Sequence, residues 1–135
     1  MISATVVKEF SFNAAHRLEG HDSTCQNLHG HTYTLQVGLY GEIKGDPGAT
    51  DDGMVMDFGH LAKVVKAEII ERLDHQYLNE VVQFRPTSEN MAAWILRRLR
   101  DAGLPLQFIR LYETPTSYVE IQERDVPVGS CISCQ

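Results

Sequence analysis

The chain has 135 residues, 43% of them hydrophobic and 22% charged, with a formal net charge of −6. That length suits one domain spanning 1–135. A net acidic chain without a basic block is a poor match for a nucleic-acid backbone, and no apolar run reaches the roughly 20 residues that cross a bilayer. The opening MISATVVKEF lacks the charged and apolar regions of a signal peptide, which makes the cytoplasm the expected compartment. Three cysteines, an odd number, do not suggest a disulfide framework and read instead as thiols, ligands or catalysts.

Residues 5–15 read as a strand. Residues 31–41, HTYTLQVGLYG, alternate: Tyr33, Leu35, Val37 and Leu39 share one face, and Thr32, Thr34 and Gln36 the other. The turn formers and acids between Gly41 and Gly53 predict a loop. Asp57 is placed to cap a helix running to about Leu73, with an apolar stripe of Leu61, Val64, Val65, Ile69 and Leu73. Pro86 followed by Thr87 or Ser88 starts a second helix, its apolar face holding Met91, Trp94, Ile95 and Leu99, and Gly103 stops it. Residues 106–113 and 118–124 predict two strands joined by the turn TPTS. Residues 126–135 predict an irregular tail. The order is ββααββ, an α+β fold with a four-stranded antiparallel sheet and both helices on one face. Such a sheet has open edges, and association through them predicts an oligomer.

His29 and His31 are two apart at the start of a strand and so share a face. That face continues as Tyr33, Leu35, Val37 and Leu39 and points inward. His16 ends the first strand in phase with Phe10, Phe12 and Ala14. Paired as a hairpin, the two strands bring three imidazoles together, the composition of a catalytic zinc site with one open position; imidazole also suits copper, nickel or iron. The alternative is three separate buried, hydrogen-bonded histidines. His21 and His60 fit neither parity nor position and read as solvent-facing.

Cys25 lies four residues before His29, within reach of a bound cation either as a ligand or as a thiol made more acidic by it. The plainer alternative is an inert loop cysteine. Asp74 and His75 form an Asp–His pair suited to proton transfer, but adjacent residues rarely join their functional groups, and a helix-end histidine facing the helix dipole is the alternative. Glu113 falls in phase with Ile109 and Leu111, so its carboxylate needs a partner such as an amidine-like donor pair, unless it reaches solvent at the strand end. Cys131 and Cys134 form a single CxxC in the tail, without a second pair to complete a metal site.

Six segments in order, FSFNAAHRL at 10–18, CQNLHGHTY at 25–33, GMVMDFGHL at 53–61, LDHQYLN at 73–79, PTSEN at 86–90 and LYETP at 111–115, resemble the family of 6-pyruvoyltetrahydropterin and 6-carboxytetrahydropterin synthases. The resemblance implies the tunnelling fold, with protomers joining into a barrel and two trimers stacking into a hexamer. It implies zinc on His16, His29 and His31, Cys25 as the proton-abstracting base, and Asp74 and His75 as a relay to that cysteine across a subunit interface. It implies that Glu113 anchors the guanidine-like edge of a pterin, aided by Thr87, Ser88 and Glu89. The three residues between Cys25 and His29 resemble the carboxy-forming branch, which serves queuosine (7-deazapurine) biosynthesis. The implied reaction converts 7,8-dihydroneopterin triphosphate to 6-carboxytetrahydropterin with loss of acetaldehyde and triphosphate. Arg17 and Lys63 are candidates for the triphosphate. The alternatives are a pyruvoyl-forming synthase and a non-catalytic zinc- or pterin-binding protein. The CISC tail departs from the family's usual ending.

Overall fold

Two long strands open the chain and set the rest of the architecture. The structure, a computed structural model, describes residues 1–20 and 27–129. Strand β1 (Ser3–His16) runs antiparallel to β2 (His29–Glu42), in a register that sets Phe10 against Leu35, Ala14 against His31 and His16 against His29. The alternating pattern makes β2 a two-faced strand: Tyr33, Leu35, Val37 and Leu39 are buried on one side.

The helical segment begins where the sequence predicts. Asp57 accepts a hydrogen bond from Gly59 N and starts α1 (Phe58–Val65). The chain then widens into a π-helical turn (Lys66–Ile70) before α2 (Glu71–Leu73), so the expected continuous helix is interrupted. Arg98 explains how the wide turn is held: its Nε donates to Glu68 O at 3.2 Å and its Nη2 to Glu68 Oε2 at 3.0 Å. Leu61, Val65, Ile69 and Leu73 nevertheless stay on one buried stripe.

Next come β3 (Gln76–Tyr77), α3 (Leu78–Val81) and α4 (Ser88–Asp101). Thr87 caps α4 by accepting from Asn90 N, and Gly103, at φ 93°, closes it in the left-handed region. Strands β4 (Leu106–Thr114) and β5 (Ser117–Gln122) complete the sheet, and a 3-10 turn (Glu123–Asp125) follows. The sheet order is β3-β1-β2-β4-β5. It therefore has five strands rather than four, and it is mixed, because β3 pairs parallel to β1 at Ala14 and Ala15. Two residues are too few to leave an alternation pattern in the sequence.

The core lies between the sheet and the helices, built from Leu35, Leu39, Leu61, Ile69, Ile95, Leu99 and Ile109. Residues 126–129 form no helix or strand, yet Val126 is buried and Arg100 holds the backbone there, Nη1 donating to Val126 O at 2.8 Å.

On the opposite face Phe108 lies flat over Gly38, with the Arg110 guanidinium 4.7 Å above its ring. A Cβ at position 38 would fall 2.3 Å from Phe108 Cε1, so only glycine admits the ring. Gly38→Ala is expected to cost about 1–3 kcal/mol through overpacking. The denaturant midpoint should fall accordingly and recover in part with Phe108→Leu. An unchanged midpoint would show that the ring swings aside without cost.

Candidate metal centre

The β1–β2 register delivers three imidazoles to one place. His16 is the last residue of β1 and lies fully buried, opposite His29, while His31 is one inward-facing step further along β2. The rings stand nearly perpendicular to one another, at 70°, 85° and 89°, with centroids 4.5–5.0 Å apart. Glu113 enters from β4, continuing the inward face of Ile109 and Leu111. One ligand atom from each of His16, His29, His31 and Glu113 falls within 4.8 Å of every other. Glu113 Oε1 is 3.1 Å from His16 Nε2 and 2.9 Å from His31 Nε2, and its Oε2 accepts from Ser88 Oγ at 2.9 Å.

Backbone carbonyls set the protonation of two rings. His16 Nδ1 is 2.9 Å from Pro86 O, and His29 Nδ1 is 2.7 Å from Asn27 O. A carbonyl only accepts, so both rings carry a proton on Nδ1, which leaves each Nε2 as the atom that can serve a cation. Those two Nε2 atoms lie 2.9 Å apart. Two lone pairs and a carboxylate at such distances repel unless a proton or a metal ion lies among them. Among the described residues His31 Nε2 is buried, with the Glu113 carboxylate beside it but no partner in hydrogen-bond geometry. This donor set, three imidazole nitrogens and one carboxylate oxygen, fits a divalent cation, and the Nδ1–carbonyl bonds are the outer supports that metal-binding histidines use.

Burial opposes charge on His16, but the Glu113 carboxylate and the Pro86 carbonyl outweigh it and raise its pKa. His31 goes the other way: burial lowers it, and the neighbouring His16 and His29 add to this against the pull of Glu113. The His16 contact leads in holding the Glu113 carboxyl at about 2, with Ser88 and the histidine charges adding to it against burial. Burial, then the Glu113 charge, raises the Tyr33 phenol, whose hydroxyl lies 3.3 Å from His16 Nδ1.

Asp74 and His75 lie on the adjoining edge. Contrary to the expectation for sequence neighbours, Asp74 Oδ2 is 3.5 Å from His75 Nε2. His75 adopts φ 60°, a left-handed conformation that costs a non-glycine residue about 1–2 kcal/mol and folds its ring back toward the aspartate. Asn13 holds this turn: its N donates to Asp74 Oδ1 at 2.9 Å and its O accepts from His75 N at 2.6 Å. His75 and His31 line a common groove of about 490 Å³ with Asn13, Thr32 and Tyr77. The His75 side chain itself is 78% exposed.

Among the other expected residues, Thr87 is engaged as the α4 cap, Ser88 touches Glu113, and Glu89 and His60 are exposed. Cys25, His21, Cys131 and Cys134 lie outside the described residues. Three supports escaped the sequence reading. Pro86 and Asn27 act through carbonyls, which carry no side-chain signal. Asn79, within LDHQYLN, brackets the Arg17 backbone, accepting from its N and donating to its O at 2.9 Å each, and so pins the end of β1 beside His16.

A sequence profile described as 6-pyruvoyl tetrahydropterin synthase matches residues 5–124. A 6-carboxy-5,6,7,8-tetrahydropterin synthase of Haemophilus influenzae is 42% identical, the match covering 87% of this chain and 98% of that one. A dihydroneopterin monophosphate aldolase of Pyrococcus furiosus is 36% identical over 90% of this chain and 99% of its own. The solved structure of Caenorhabditis elegans 6-pyruvoyl tetrahydropterin synthase superposes with a TM-score of 0.78 at 31% identity, covering 90% of this chain and 96% of that one.

Proposed function

The chain belongs to the 6-pyruvoyl tetrahydropterin synthase family, and from that premise we propose that it is a zinc enzyme converting 7,8-dihydroneopterin triphosphate and water to 6-carboxy-5,6,7,8-tetrahydropterin, acetaldehyde and triphosphate. The observation that carries the metal part is the 2.9 Å approach of the Nε2 atoms of two rings whose Nδ1 atoms face backbone carbonyls. His16, His29 and His31 hold the ion, which supplies Lewis-acid polarisation of the substrate's side-chain hydroxyls. Cys25 takes a proton from the carbon side chain, and His75, steadied by Asp74, passes it on. Glu113 receives the donor edge of the pterin. Ser88 orients that carboxylate, Thr87 caps the helix on which Ser88 lies, and Glu89 aids in holding the ring.

The carboxy product rests on the 42% identical relative and on the short Cys25–His29 spacing. A shift of the base by a residue or two changes which proton it reaches. The product would serve queuosine (7-deazapurine) synthesis. A cytoplasmic homohexamer of two stacked trimers completes the reading. What supports association is that, among the described residues, β5 pairs only with β4 and the outer edge of β1 only with β3, at Ala14 and Ala15.

The test is product identification. Purified zinc-loaded protein given 7,8-dihydroneopterin triphosphate should release acetaldehyde and a 6-carboxy product by mass spectrometry. A 6-pyruvoyl product without acetaldehyde would move the chain to the activity named for the C. elegans protein. Turnover of the monophosphate alone would move it to that named for the P. furiosus relative.

A further inference from the structure

A catalytic zinc keeps one position open for its substrate, yet here a fourth donor already stands beside the three imidazoles. Around a tetrahedral zinc with ligand distances near 2.0–2.1 Å, neighbouring ligand atoms lie about 3.3 Å apart. Glu113 Oε1 lies 3.1 Å from His16 Nε2 and 2.9 Å from His31 Nε2, within a few tenths of an ångström of the separation between two such ligand atoms. It completes a cluster in which every donor is within 4.8 Å of the rest. Ser88 Oγ, donating to Oε2 at 2.9 Å, turns the other oxygen away and aims Oε1 inward.

We propose that Glu113 Oε1 is the fourth ligand of the metal in the substrate-free enzyme, and that an incoming pterin ring draws the carboxylate off and so opens the metal. The second half rests on the function proposed above. A paired N–H donor edge engages a carboxylate through both oxygens. Oε1 cannot serve that edge and the metal at once. Ring recognition and the opening of the fourth position are therefore one event. Until the correct ring arrives, the carboxylate keeps other donors off the ion.

The test uses cobalt(II) in place of zinc, because its visible bands report coordination number and donor set. The substrate-free wild-type protein should show four-coordinate bands that change in both Glu113→Gln and Glu113→Ala. Chelator competition should show metal binding weakened by about 10- to 100-fold, the range over which neighbouring groups tune such sites. Circular dichroism of the two variants checks that both fold. Adding a 7,8-dihydropterin without a side chain, which brings no hydroxyl to the metal, should move the wild-type bands and leave those of Glu113→Gln unchanged. Identical bands and chelator affinities in wild type and both variants would overturn the fourth ligand. Wild-type bands that stay fixed while the pterin binds would overturn the switch. A wild-type protein that binds no pterin would sink the proposed function and the switch together, while the variant comparison would still decide the ligand.

Discussion

His29→Ala and His31→Ala are expected to purify without zinc and without measurable turnover. Each substitution leaves two imidazoles and the Glu113 carboxylate, one strong nitrogen donor short of the full set, so the ion should be lost on purification. A metal acting as Lewis acid supplies several kcal/mol of transition-state stabilisation, so its loss should lower turnover by at least about 10³-fold. These positions are chosen over His16 because His16 is fully buried and also bonds Pro86, so removing it would confound metal loss with misfolding. His29 and His31 are only partly buried, and their removal should leave the unfolding transition of the metal-free protein nearly unchanged. Elemental analysis of the variants decides the matter. Full zinc content in both would place the metal elsewhere.

The second large effect is expected at Cys25. Cys25→Ala should keep its zinc and lose turnover by about 10²–10⁴-fold, the range for removing a positioned general base. A thiol near a cation ionises more readily than the ordinary cysteine pKa of about 8.5 allows, which makes it effective at neutral pH. Cys25→Ser should be nearly as inactive, because a hydroxyl is far less acidic. Metal content and single-turnover rates separate the roles. A zinc-free Cys25→Ala protein would make this residue a ligand instead of a base.

Much of this site can be read from strand parity. Two residues per repeat put His29 and His31 on the face of Tyr33 and Leu35, and put His16 on the face of Phe10 and Phe12. The hairpin register then makes His16 and His29 direct partners. Glu113 is visible by the same rule, as a carboxylate in phase with Ile109 and Leu111. The caps at Asp57 and Thr87 and the left-handed stop at Gly103 are legible too, because side-chain caps and glycine termini are local devices. The Asp74–His75 contact is not legible, because it depends on a positive φ at a histidine, held by the Asn13 backbone of the neighbouring strand β1, 61 residues before Asp74 in the chain.

The sequence by itself determined which residue types face inward, since alternation and capping depend only on neighbours along the chain. The tertiary structure alone decided what those groups do to one another. Strand β3, two residues long, exists because the Ala14–Ala15 edge of β1 offers it hydrogen bonds. The π-helical turn is held by Arg98, 30 residues further along the chain. The tautomers of His16 and His29 follow from the carbonyls of Pro86 and Asn27, atoms that every residue carries and that only the path of the backbone brings into range. The Glu113 carboxylate turns onto the imidazoles because Ser88, at the start of α4, takes its other oxygen. Each of these is a meeting of groups distant in sequence, fixed by packing and hydrogen bonding across elements, for which a linear pattern holds no signal.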